Sequence, residues 1–165
     1  MKTLHAARRF AWNAAALAAA FCFVPALAQA PAAAPVPQAT AYVSIGDKPA
    51  ASFDSPSQKG VKQFIYSRFH PLEVLVRVSG WTKVRDAEGG IGWIENSALG
   101  ARRFAVAQAA ATQVRAAAQP AAPVVFEAER GVLLEITGAP VDGWLPVVHR
   151  DGQAGFVRTT QVWGQ

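Results

Sequence analysis

The chain has 165 residues, about half of them apolar, with sixteen Lys and Arg against eleven Asp and Glu, three His and a single Cys. That length allows one domain or two small ones, and a lone cysteine excludes a disulfide framework within the chain. The formal net charge of +5 would invite a polyanionic partner, but it is unevenly placed.

Three of the basic residues, Lys2, Arg8 and Arg9, stand at the start. An apolar stretch follows from Phe10 to Leu27, broken only by Asn13 and Pro25, and ends in Ala26-Leu27-Ala28. A basic start, an apolar middle and a small-residue site make a secretory signal, with cleavage expected after Ala28. A spanning helix needs roughly 20 apolar residues, and Pro25 interrupts this one, so no membrane span is expected after cleavage. Cys22 leaves with the signal; the bulky Phe21 before it is unlike a lipid-attachment site. All eleven acidic residues lie beyond Ala28, so the mature balance falls to thirteen against eleven, or +2. Nucleic acid is thereby dropped as a partner, and a periplasmic or secreted location is expected.

Residues 29–41 include Pro31, Pro35 and Pro37 among many alanines. Such a composition cannot build a core, and it reads as a disordered, extended arm.

The remainder is an internal repeat. Gly80-Trp81-Thr82-Lys83-Val84-Arg85-Asp86 leads through a glycine turn to Gly92-Trp93-Ile94. Gly143-Trp144-Leu145-Pro146-Val147-Val148 leads likewise to Gly155-Phe156-Val157, and the aromatic spacing is twelve residues in both. Upstream, Phe64-Ile65-Tyr66 matches Val124-Val125-Phe126, and Pro71-Leu72-Glu73-Val74 matches Gly131-Val132-Leu133-Leu134. The copies are set at residues 42–100 and 103–163. Each reads as short strands joined by Gly-rich turns, among them Asp86-Ala87-Glu88-Gly89-Gly90 and Arg150-Asp151-Gly152-Gln153. At about sixty residues a copy is too small for an immunoglobulin-type sandwich, and a closed barrel of five or six strands is expected. Alternation puts Val84, Trp93 and Ile94 in the first core and Val147, Phe156 and Val157 in the second.

The Gly80–Asp86 run with Gly89-Gly90-Ile91-Gly92-Trp93-Ile94 resembles the bacterial Src-homology-3 domains. In the second copy, Val114-Arg115-Ala116 followed by Pro123-Val124-Val125-Phe126 and Gly131 is similar to the family's opening pattern. The resemblance implies an all-β fold of two tandem small SH3-like β-barrels, an envelope location, and binding of peptidoglycan or a cell-envelope protein. Eukaryotic relatives grip polyproline with a tryptophan, a proline and a tyrosine. Where the last two would stand, this chain has Glu95 and Ala98, then Arg158 and Gln161, so polyproline recognition is not expected.

Catalytic and metal chemistry find no constellation. His70 and His149 lack partners at metal-ligand spacing, no serine sits in a Gly-x-Ser-x-Gly elbow, and the long cleft of a glycosidase is not expected on such small modules. No enzyme, metal or cofactor is expected. Ligand-binding candidates are Trp81 and Trp144, which serve either as stacking platforms or as plugs of their own domains, with Arg85, Arg150 and Arg158 available to pair with carboxylates. Arg85-Asp86 and Arg150-Asp151 also read as ion pairs fixing their loops. Trp163 is expected over the seam between the copies or the base of the second. The aromatic, basic stretch Lys62–Phe69 reads as a strand with one buried face, or else as a partner surface. The leading function is an exported, non-catalytic binding module for peptidoglycan or an envelope protein; the alternative is a structural adaptor that docks a periplasmic partner and does not bind the wall.

Overall fold

The computed structural model describes residues 41–165; the signal segment and the Pro/Ala-rich arm as far as Thr40 lie outside the described residues. The first repeat comprises β1 (Tyr42–Ile45), β2 (Ala50–Phe53), β3 (Lys62–Tyr66), β4 (Pro71–Val78), β5 (Trp81–Arg85), β6 (Ile91–Glu95), a 3-10 turn at Asn96–Ala98 and β7 (Leu99–Gly100). The second comprises β8 (Phe104–Ala107), β9 (Ala111–Arg115), β10 (Val124–Glu129), β11 (Leu133–Ile136), β12 (Trp144–Val148), β13 (Ala154–Arg158), a 3-10 turn at Thr159–Gln161 and β14 (Val162–Trp163). Among the described residues no helix is long and apolar enough to cross a membrane.

Each repeat forms one seven-stranded antiparallel sheet. The strand orders, β3-β2-β6-β5-β4-β1-β7 and β10-β9-β13-β12-β11-β8-β14, are the same order written twice. The expectation of closed barrels is corrected here. A barrel needs every strand paired on both sides, whereas β3 bonds only to β2 and β7 only to β1. The ends do not meet, and the sheets are open and not strongly curled. Chain length and turn spacing set the number of short strands but carry no information on whether the outer two find each other.

The repeated Gly-Trp and Gly-aromatic motifs have separate physical causes. Gly80 and Gly143 precede the tryptophans with φ of 78° and 77°, a backbone conformation that glycine adopts without steric cost. Gly92 and Gly155 instead permit close approach of strands. A Cβ at Gly92 would stand 2.8 Å from Ser52 on β2, and one at Gly155 would stand 2.6 Å from the Arg115 carbonyl on β9. These are the crossings where Phe53 pairs with Trp93 and Arg115 with Phe156.

Each sheet carries its own apolar cluster. Ile45, Tyr66, Leu72, Val84 and Ile94 form the first; Ala105, Val114, Leu134, Leu145, Val147, Val157 and Val162 form the second. Val84, Ile94, Val147 and Val157 are fully buried, while Trp93 and Phe156 are half-buried beside the crossing strands.

Pairing also corrects the upstream match between copies. Ser52 pairs with Phe64 and Val114 with Phe126, while Ala50 pairs with Tyr66 and Thr112 with Ala128. Phe64 therefore corresponds to Phe126 and Tyr66 to Ala128. By the same logic Leu72, opposite Val43, corresponds to Leu134, opposite Ala105. The sequence match is out of step by two residues. Side chains alternate with a period of two, so a slip of two leaves the apolar pattern intact. The bulges settle the matter: pairing skips Gln63 in β3 and Val125 in β10.

The two repeats meet in a seam of aromatic contacts. Phe69 and Phe104 stack with centroids 4.6 Å apart. The Arg102 guanidinium lies 4.5 Å above Phe69 and 5.5 Å from Phe104, and reaches Asp47 at 3.0 Å and Glu135 at 3.4 Å. Ser44 Oγ accepts the Phe104 N–H at 3.0 Å. Trp163 meets Tyr42 edge-on at 5.2 Å, so it covers the seam.

Candidate binding sites

Trp144 opens β12 and is 3% exposed. Arg158, directly opposite it on β13, lays its guanidinium over the indole with its carbon 4.3 Å from the ring centroid. The tryptophan is thus a covered floor. Arg158 uses its face for the stack and leaves its edge donors available; among the described residues it has no ion-pair partner. Beside it Arg115 donates to the Ala122 carbonyl and to Gln113, both at 2.6 Å. Gln113, Arg115, Pro120, Trp144, Arg158 and Gln161 line a pocket of about 140 Å³ with two cations and no carboxylate.

The corresponding place in the first repeat has different chemistry. Trp81 pairs with Glu95 instead of an arginine, and Phe53, which takes the place of Arg115, meets Trp81 edge-on at 5.5 Å. Gln58 donates to Glu95 at 2.6 Å. An apolar ring and a carboxylate stand where the second repeat has two guanidinium groups.

Arg85 is engaged elsewhere. It forms a two-point ion pair with Glu73 on the adjacent β4, at 2.7 and 2.8 Å, so the expected Arg85–Asp86 loop pair is absent. Asp86 instead accepts the N–H groups of Glu88 and Gly90 and the Tyr66 hydroxyl. Burial first, then this hydrogen bond, hold the Tyr66 hydroxyl well above its ordinary pKa. Asp151 likewise pairs with His149 at 2.9 Å, leaving Arg150 exposed without an ion pair among the described residues.

Arg150 lines a second concavity, of about 730 Å³, between the repeats, with Arg68, Phe69, Arg102, Phe104 and Glu135 among its walls. Of the candidates named from the sequence, Trp144 and Arg158 line the smaller concavity and Arg150 the larger; Arg115 in the smaller and Arg102 and Phe104 in the larger were not among them. In the sequence Arg102 falls between the two copies and Arg115 reads only as part of the second copy's opening pattern. Among the described residues no cluster of three or more His, Cys, Asp and Glu could hold a metal.

Among the described residues the chain is one seven-stranded β-sheet unit formed twice, each with its own core. The chain belongs to the bacterial SH3 domain family, whose model matches residues 48–100 and again 108–164. Domains of this family are binding modules without catalysis of their own, and the two matched regions give this chain two of them. No curated protein matches the chain. Among solved structures, NlpC2 from Trichomonas vaginalis shares 10% identity at a TM-score of 0.35, over 78% of this chain and 49% of that one. NlpC1 from the same organism shares 11% at 0.35, over 78% and 47%. An NlpC/P60 family protein from Bacillus cereus ATCC 10987 shares 12% at 0.34, over 74% and 56%. The chain spans about half the length of these proteins, and likeness at this level carries no statement about activity or ligand.

Proposed function

We propose that the mature chain is an exported envelope module whose second repeat binds peptidoglycan through a stem-peptide carboxylate. The observation that carries this reading is Arg158, stacked on the buried Trp144 without an acidic partner and flanked by Arg115. A guanidinium with a packed face and free edge donors suits a two-point hydrogen bond to a carboxylate. The first repeat, with Phe53 and Glu95 in the corresponding places, serves as its support. Polyproline is disfavoured because the indole face such a ligand would use is already covered.

Sedimentation with purified sacculi tests the reading. The mature protein should pellet, Arg158→Glu should stay in the supernatant, and sacculi with amidated stem carboxylates should no longer retain the unmodified protein. Equal pelleting of Arg158→Glu, or no pelleting of the unmodified protein, would overturn it.

A further inference from the structure

We infer that the groove between the repeats is a docking site for an acidic peptide segment of a partner protein, held by Arg68 and Arg150 over the Phe69–Phe104 stack. This goes beyond wall binding and uses different residues, so the module would hold two ligands at once.

Three observations carry it. The first is size: at about 730 Å³ the groove falls within the roughly 300–1,000 Å³ of typical ligand sites and is far larger than a lone carboxylate or phosphate fills. The second is charge. Arg102 is balanced by Asp47 and Glu135, but Arg68 and Arg150 have no ion-pair partner among the described residues. Arg68 enters from the β3–β4 turn of the first repeat and Arg150 from the β12–β13 turn of the second, so a ligand meeting both touches both repeats, and an acidic segment offers each guanidinium its own carboxylate. The third is backbone strain. Phe69 sits at φ 68°, where a bulky side chain is an outlier that surrounding structure must enforce. Its N–H is anchored on the Ile45 and Gly46 carbonyls, and the result is a ring held against Phe104 with the Arg102 and Arg68 guanidinium groups 4.5 and 5.5 Å from its centroid. The enforced backbone thus gathers cationic groups at the groove wall. A nucleic-acid strand fits less well, because a mature balance of +2 gives little phosphate neutralisation.

The test is a backbone-amide NMR titration of the mature protein with acetyl-(Glu-Phe-Glu-Gly)2-amide, a Lys-for-Glu analogue, and an eight-residue oligothymidylate. The acidic peptide should shift one contiguous set of amides, Ser67 to Phe69, Gly131 to Leu133 and His149 to Gly152. Arg68→Glu/Arg150→Glu should weaken binding at least tenfold, with amides outside the groove unmoved by the substitutions, while sacculus pelleting by the same variant persists. Both arginines are exposed and make no ion pair among the described residues, so this variant is expected to fold. Shifts scattered outside the groove, binding unchanged by the double substitution, equal binding of the Lys analogue, or tighter binding of the oligothymidylate would each overturn the inference.

Discussion

The phenolic hydroxyl of Tyr66 donates to a carboxylate oxygen of Asp86 at 3.0 Å, tying edge strand β3 to the β5–β6 turn through a buried acid. The other oxygen accepts from Glu88 N at 3.1 Å and Gly90 N at 2.6 Å. Hydrogen bonds to a charged group contribute roughly 1.5–3 kcal/mol each, and not additively. Asp86→Ala is therefore expected to cost about 2–4 kcal/mol and Tyr66→Phe about 1–2 kcal/mol, read from urea midpoints. The second repeat has Ala128 in the place of Tyr66, so no corresponding tie exists there and the loss should fall on the first transition if the repeats unfold separately.

His70 stacks on Tyr66 at 5.2 Å, and its Nε2 is buried without a partner. Burial pushes its pKa below the ordinary histidine value; the Glu88 and Asp86 carboxylates act in the other direction without reversing it. The folded state therefore prefers the neutral ring. Stability from this group is complete above the unfolded value of about 6.5. It declines as pH falls from there through the depressed folded value, because the unfolded chain binds the proton first. Urea midpoints should drop across this window, and His70→Gln should flatten that part of the profile. A drop of the same size in His70→Gln would assign the effect to other groups.

Much of this organisation is legible in the sequence, and the illegible parts have physical reasons. The twelve-residue spacing from Trp81 to Trp93 and from Trp144 to Phe156 reports a real hairpin, because the turn glycine and the crossing glycine of each copy both have steric work to do. The upstream alignment is ambiguous because strand periodicity cannot distinguish a slip of two. Closure is not encoded locally at all: β3 and β7 lie far apart in sequence and whether they pair depends on the whole sheet. Arg158 is visible as a residue, yet its pairing with Trp144 emerges only from strand register. The seam is the least legible feature, since Arg68, Phe69, Arg102 and Phe104 become neighbours only when both repeats are folded.

The crossing glycines make a matched prediction. A methyl group at Gly155 meets the Arg115 carbonyl and Val114 Cγ1, at 2.6 and 2.7 Å, and one at Gly92 meets Ser52 Cβ at 2.8 Å. Ser52 Cβ is fixed to its own backbone, so both substitutions must move backbone, and the closer contacts lie at Gly155. Gly155→Ala should then cost about 2–3 kcal/mol and Gly92→Ala about 1–2 kcal/mol, within the usual range for overpacking. Chemical denaturation of the two variants would check the order; a Gly92→Ala variant that loses more would place the tighter crossing in the first sheet.

Phe69 and Phe104 contribute to the seam in different ways, and glycine separates them. Phe104 has ordinary strand backbone and is nearly buried, so Phe104→Ala should cost about 3–5 kcal/mol and loosen the coupling between repeats, splitting one unfolding transition into two. Phe69 stacks on the same ring but holds a left-handed backbone that costs an L-residue about 1–2 kcal/mol. Phe69→Ala loses the ring and keeps that strain, whereas Phe69→Gly loses the ring and releases it. Glycine normally destabilises relative to alanine through its greater freedom in the unfolded chain; here the order should invert, with Phe69→Gly more stable than Phe69→Ala by about 1 kcal/mol after that entropy is offset. Urea midpoints of the pair decide it. An alanine variant as stable as the glycine one, or more so, would mean that residue 69 relaxes out of the left-handed region once its ring is gone, and that the stack itself holds the strained backbone in place.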